Sequence, residues 1–195
     1  MQLIKERIEE SIEVKKALLG DSDILDNIQA AADEVFDCIS SGNKVLLCGN
    51  GGSASDALHI TGELVGRFQR ERKAMTAICL NSDVASMTAI ANDYGYENIF
   101  SRAVEGNLKV GDVLIGISTS GNSENVLRAI KLANDMGGKT IALLGKTGGK
   151  IKDEAKLSIV IPCDNTARIQ ESHIMIGHII CELVENSWFD LEDKR

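Results

Sequence analysis

At 195 residues, with 44% hydrophobic and 26% charged side chains, the chain has the length and composition of one soluble globular domain. A formal net charge of -8 argues against a broad nucleic-acid surface, which needs clustered positive charge, but leaves room for one small anion held by backbone donors. No apolar run approaches the roughly 20 residues needed to span a bilayer, and MQLIKERIEESIEVKK is too charged to read as a signal peptide.

Aromatic residues make up only 4%, so the core is expected to be aliphatic and alanine-rich. One proline, Pro162, against 18 glycines favours long elements joined by glycine turns over a proline-punctuated β-sandwich. The five cysteines (Cys38, Cys48, Cys79, Cys163, Cys181) are widely spaced and form no CxxC pair. Buried free thiols in a reducing cytoplasm are expected.

Two helices are expected first. Ile4, Ile8 and Ile12 recur every four residues, and Ile24, Ile28, Ala31, Val35 and Ile39 mark a second apolar stripe. Asp21 or Ser22 suits the cap of the second helix, and Gly42 falls where it should stop. These helices should pack across the domain or against another subunit. Strands then alternate with helices. Lys44–Cys48 is a short, continuous apolar run of the kind found in a buried parallel strand, and Met75–Leu80, Val113–Ile117, Thr140–Leu144 and Leu157–Ile161 read as four further strands. Helical segments are expected at Ala54–Phe68, Val84–Ala91, Asn98–Asn107, Asn125–Met136 and Arg168–Trp188. That order predicts an α/β fold: a five-stranded parallel sheet, helices on both faces, and ligands beyond the carboxyl ends of the strands.

Two loops stand at those strand ends. Gly49-Asn50-Gly51-Gly52-Ser53 follows the first strand and enters a helix, so glycines let backbone N–H groups approach an oxyanion at a helix amino terminus. Ser118-Thr119-Ser120-Gly121-Asn122-Ser123 follows the third strand, and its four hydroxyls are neutral donors suited to a phosphate dianion. Ordinary strand-to-helix turns with serine caps would also use such residues. A dinucleotide site fits less well. Gly49-x-Gly51-x-x-Ala54 matches a loose glycine fingerprint, but the acidic partner is wanted about 20 residues on, where the next strand ends Leu80-Asn81-Ser82-Asp83 some thirty residues on. No Gly-Lys-Ser/Thr completes a Walker loop.

All three histidines fall on two expected helices: His59 behind the first loop, His173 and His178 on the last. His59 and Glu63, four apart, share one helical face. Gln170 and His178, eight apart, lie on neighbouring faces. Drawn together, His59, Glu63, Gln170 and His178 would offer N and O ligands for zinc or a similar divalent ion. The same spacing describes a surface His59–Glu63 pair with His178 in the interior.

The segments CGNGGSASDALHITGELVGR, AIANDYGYENIFSR, GDVLIGISTSGNSENVLRAI and ARIQESHIMIGHII resemble the phosphoheptose isomerases, also called sedoheptulose 7-phosphate isomerases, within the sugar isomerase (SIS) domain proteins. The resemblance runs from about Lys44 to Glu185. It implies a three-layer, flavodoxin-like SIS fold as a single domain over 1–195, with N-terminal helices at 1–42 and an α/β core at 43–188. It implies a cytoplasmic homotetramer with active sites between subunits, no nucleic acid and no membrane. The implied reaction interconverts D-sedoheptulose 7-phosphate and D-glycero-D-manno-heptose 7-phosphate through a cis-enediol. This would be the first step toward ADP- or GDP-heptose for lipopolysaccharide or capsule.

By the matching motifs, Asn50, Gly51, Gly52, Ser53, Asn92, Asp93, Ser118, Thr119, Ser120 and Ser123 would contact substrate. His59, Glu63, Gln170 and His178 would hold Zn2+, with Glu63 and Gln170 also touching substrate. Glu63 is the expected general base, and His178 is expected to be essential as metal ligand, acid/base or both. The alternative is a non-catalytic SIS-domain regulator that binds a sugar phosphate; such relatives are expected to lack part of the His59/Glu63/Gln170/His178 set. A SIS isomerase or lyase for another sugar phosphate is expected to be larger than this chain.

Overall fold

The computed structural model describes residues 1–192, so the end of the expected 1–195 domain, residues 193–195, lies outside the described residues. Helices α1 (Gln2–Leu19) and α2 (Ser22–Ser40) precede β1 (Val45–Gly49), α3 (Gly52–Val65), β2 (Ala77–Cys79), α4 (Val84–Tyr94) and α5 (Ile99–Asn107). Then follow β3 (Val113–Ser118), α6 (Glu124–Asp135), β4 (Lys139–Gly145), α7 (Gly149–Glu154), β5 (Leu157–Ile161) and α8 (Thr166–Glu192). A single 3₁₀ turn, Tyr96–Asn98, joins α4 to α5.

The five strands form one parallel sheet in the order β2-β1-β3-β4-β5. Their continuous apolar runs are explained by two covered faces. Val45 and Leu47 of β1, Ile115 of β3 and Leu143 of β4 point into a core shared with α2, α3 and α8. Leu46, Cys48, Leu114 and Leu144 point the other way, against α5, α6 and α7. With a side-chain period of two, the buried stretch of each strand is apolar at successive positions, with polar residues such as Lys139, Ser118 and Ser158 near the ends. The chain order reverses between β1 and β3, so the crevice at their carboxyl ends is the switch point where such sheets bind ligands.

Three elements depart from expectation. β2 has three residues rather than six, because it is an edge strand that pairs only with β1. α7 was not expected; it has six residues, opens on glycines and buries only Ile151, too short for a periodic signal. α4 runs on through Asn92 and Asp93 to Tyr94.

At the amino terminus the Asp21 carboxylate caps α2 by accepting from the Asp23 and Ile24 N–H groups, each at 3.1 Å. The α2 stripe is buried, whereas Ile4, Ile8 and Ile12 of α1 face outward, 44–60% exposed. α1 is held to α8 by Ser11, whose hydroxyl donates to Glu171 Oε2 at 2.7 Å. All five cysteines are free thiols, with Cys163 alone partly exposed. No helix among the described residues is long and apolar enough to cross a membrane.

Candidate active site

The two loops leave adjacent strands at the switch point, where Gly49 of β1 pairs with Ile117 of β3. Gly51 adopts φ 57° and ψ -121°, open in practice only to glycine, and this turns the chain into α3. Gly52 permits a close approach instead: a β-carbon there would press against the terminal amide of Gln170 and push it aside. That close approach brings Gln170, from the far end of the sequence, against the first loop. Asn50 forms a reciprocal amide pair with Asn125 of α6, each Nδ2 donating to the other's Oδ1 at 2.9 Å. The Tyr96 hydroxyl also donates to Asn50 Oδ1, at 2.8 Å. Ser53 is buried in the first turn of α3.

In the second loop the Ser118 hydroxyl lies 2.9 Å from that of Ser123 and 3.5 Å from that of Ser120. Ser120 Oγ accepts from the Asn122 N–H at 3.2 Å, and Thr119 beside it is half-buried. Ser123 occupies the N-cap position of α6 yet makes no capping hydrogen bond; its hydroxyl turns inward to Ser118. Ser123 therefore does not act as an ordinary cap; in the first turn of α6 the Val126 N–H donates instead to the Asn125 side chain, at 2.9 Å.

The second region is built on helices. His59 Nε2 stands 3.0 Å from Glu63 Oε1 and 3.3 Å from His178 Nε2, the two imidazoles meeting edge-on at 74°. Ligand atoms of His59, Glu63 and His178 all fall within 4.8 Å of one another. One ring nitrogen of His59 thus faces both a carboxylate and a second imidazole. A single N–H satisfies both only as a bifurcated donor, so protons alone serve this cluster poorly. Ligands bound tetrahedrally to zinc at about 2.1 Å lie about 3.4 Å apart, so this donor set fits such an ion.

The expected residues thus fall into groups. Asn50, Gly51, Gly52, Ser53 and Gln170 meet at the first loop; Ser118, Thr119, Ser120 and Ser123 form the second; His59, Glu63 and His178 converge on the helices. Asn92 and Asp93 are exposed in the last turn of α4, where Asn92 donates to Asp93 at 2.8 Å, and no described hydrogen bond links them to the other groups. His173 is fully buried, with its Nε2–H donating to the Leu144 carbonyl at 2.9 Å; burial pushes its pKa down to about 4. It stays neutral and away from the cluster. Glu171 binds Ser11 and Arg168 instead.

Four further residues shape the site without having been expected there. Asn81, at the end of β2, donates to the Gly49 carbonyl at 2.9 Å and accepts from its N–H at 3.2 Å. This amide occupies the strand end where a dinucleotide site wants a carboxylate. Asn125 and Tyr96 fix Asn50, and Phe68 lays its ring 5.7 Å from that of His178. Asn125 alone carried a signal, a polar residue in an otherwise apolar helical stripe. Asp56, one turn before His59, has its pKa raised to about 6 by burial, against the opposing pull of His59.

The family model described as SIS domain matches residues 13–145. A phosphoheptose isomerase from Citrifermentans bemidjiense is 52% identical over 186 residues, covering 95% of this chain and 96% of that protein. Among solved structures, a phosphoheptose isomerase from Francisella tularensis superposes with a TM-score of 0.90 at 37% identity, covering 95% of this chain and 97% of the other. That from Neisseria gonorrhoeae does so with a TM-score of 0.88 at 38% identity, covering 95% and 98%. With matches that span nearly the whole of both partners, the chain belongs to the phosphoheptose isomerases, an enzyme family of SIS-domain proteins.

Proposed function

We propose that this protein, a single SIS domain, interconverts D-sedoheptulose 7-phosphate and D-glycero-D-manno-heptose 7-phosphate, the first step toward an activated heptose. The observation that carries this reading is the convergence of His59, Glu63 and His178 beside a hydroxyl-lined loop at the switch point. The hydroxyls of Ser118, Thr119, Ser120 and Ser123 would donate to the phosphate, joined by backbone N–H groups of Gly51 and Gly52. Asn50, already oriented by Asn125 and Tyr96, would bind a sugar hydroxyl, with Asn92, Asp93 and Gln170 as further contacts.

The chemistry then belongs to the carbonyl end. The Glu63 carboxylate would remove a proton from C1 of the ketose, the C–H electrons forming the C1–C2 double bond of a cis-enediol as O2 takes up a proton. Return of a proton to C2, with loss of the O1 proton, leaves the aldose. His178 would carry the proton at oxygen whenever its Nε2 is free; a nitrogen whose lone pair is bound elsewhere cannot do so. His59, Glu63, Gln170 and His178 would hold zinc, which when bound polarises a carbonyl as a Lewis acid. The outward apolar face of α1 supports assembly into a homotetramer, and five free cysteines support a cytoplasmic location.

Incubating the purified protein with sedoheptulose 7-phosphate and following aldose formation, with and without added zinc, tests the proposal. Turnover that depends on Glu63 and His178 is expected. No turnover under either condition would favour a sugar-phosphate-binding protein without catalysis.

A further inference from the structure

One buried ion pair is not used by the chemistry above. Arg72, in the loop after α3, and Glu185, on α8, are 1% and 2% exposed, with Arg72 Nε donating to Glu185 Oε1 at 3.1 Å. Glu185 also accepts from the backbone N–H groups of Phe68, Gln69 and Arg70 at 3.2, 2.9 and 2.9 Å. Its two oxygens therefore receive four donors, which fills the acceptor capacity of a carboxylate. Burial works against its charge, but these N–H groups and Arg72 outweigh burial and hold its pKa below the ordinary value.

The rest of the Arg72 guanidinium reaches α3. One terminal nitrogen donates to the Glu63 carbonyl at 2.9 Å, and the other to the carbonyls of Leu64 at 2.9 Å and Lys73 at 3.1 Å. The Glu63 and Leu64 carbonyls belong to the last turn of α3 and lack helical partners of their own, whereas that of Lys73 lies in the same loop as Arg72. Glu185 lies seven residues after His178, about two turns, and so on the same face of α8. Phe68, whose N–H is held by Glu185, is the residue whose ring lies against His178.

We infer that the Arg72–Glu185 pair is a positioning device that sets α3 against α8, and so places His59 and Glu63 of the one helix relative to His178 of the other. A flexible loop could be anchored by apolar packing alone. A charged pair buried with every donor and acceptor matched accepts only one register, and displacement by an ångström would leave charges unpaired. The distance it sets, 3.3 Å between the His59 and His178 ring nitrogens across α3 and α8, tolerates little error. The inference rests on the isomerase reading, since it assigns a role within that site.

The test uses full-length Glu185→Gln, which keeps the shape and removes the charge, and Arg72→Lys, which keeps the charge and removes the fork. Folding is checked by circular dichroism, zinc affinity by competition with a chromogenic chelator, and kcat and KM with sedoheptulose 7-phosphate. In folded variants the zinc Kd is expected to weaken by roughly 10- to 100-fold and kcat to fall with it. KM should stay within about threefold, because the phosphate loops are untouched. Excess zinc should restore part of the lost kcat. Folded variants that bind zinc and turn over as the wild type does would overturn the inference, as would failure of both to fold, which makes the pair purely structural. A wild type that neither binds zinc nor turns over would instead overturn the isomerase reading itself.

Discussion

The loop end and the helix end of the site are built on opposite plans. In the loops, polar groups already satisfy one another: Asn50 pairs with Asn125, Ser118 with Ser123, and Gly49 with the Asn81 amide. On the helices, three ligand atoms from His59, Glu63 and His178 converge on one small volume. The first plan gives a preformed neutral cradle, which receives an anion with little rearrangement. The second brings the ligand atoms of His59, Glu63 and His178 together where a cation could sit. If, as proposed, the hydroxyls bind and the helix cluster reacts, binding and turnover should be separable by mutation.

The sharpest way to break that division is Glu63→Gln. A fall in kcat of about 1000-fold, with KM for sedoheptulose 7-phosphate nearly unchanged, is expected for the loss of a general base. Aldose formation measures it, and full activity would remove Glu63 from that role. Ser118→Ala addresses the other end. A hydrogen bond to a charged group contributes about 1.5–3 kcal/mol, so KM should rise about 10- to 100-fold while kcat at saturation changes little. A matching drop in kcat would mean that the loops also act in the transition state.

His173 separates fold from chemistry on α8. In the folded protein it is neutral down to about pH 4, whereas an ordinary histidine takes a proton near 6.5. The unfolded chain therefore binds the extra proton in that window, and the stability contribution declines as pH falls from 6.5 toward 4. At pH 5 this penalty is about 2 kcal/mol relative to pH 8. Urea unfolding of His173→Gln should lack that part of the acid sensitivity, with turnover at neutral pH within about threefold of wild type. The smallest expected effect is at the join: Gly52→Ala pushes Gln170 away from the first loop and should lower kcat/KM about tenfold without unfolding the protein.

Sequence pattern carried most of the fold. Strands covered on both faces are apolar along their buried stretch, so β1, β3, β4 and β5 stood out, while the edge strand β2 could end early. Six-residue α7, with one buried side chain, left no periodic trace. The pair His59–Glu63 was legible because helical geometry links positions four apart. The approach of His178 to His59 spans 119 residues and depends on how α3 packs on α8, which no local spacing encodes. Phe68, Arg72 and Glu185 were illegible for the same reason: their partners come from distant segments. The hydroxyl loop was legible as a set of donors, but not the inward turn of Ser123, which a cap position would equally have allowed.

The pairing of Gly49 with Ile117 has a bearing on how such a protein can change over generations. Because it lies inside the sheet ladder, it fixes the origins of both loops one strand spacing apart, about 4.8 Å, whatever helices follow. On the proposed reading, the phosphate end is thereby tied to the sheet itself. The residues proposed to meet the carbonyl ride instead on α3 and α8, whose tilt and side chains can shift while the sheet stays intact. Changes in those helices could then suit a longer or shorter sugar and leave the grip on phosphate in place.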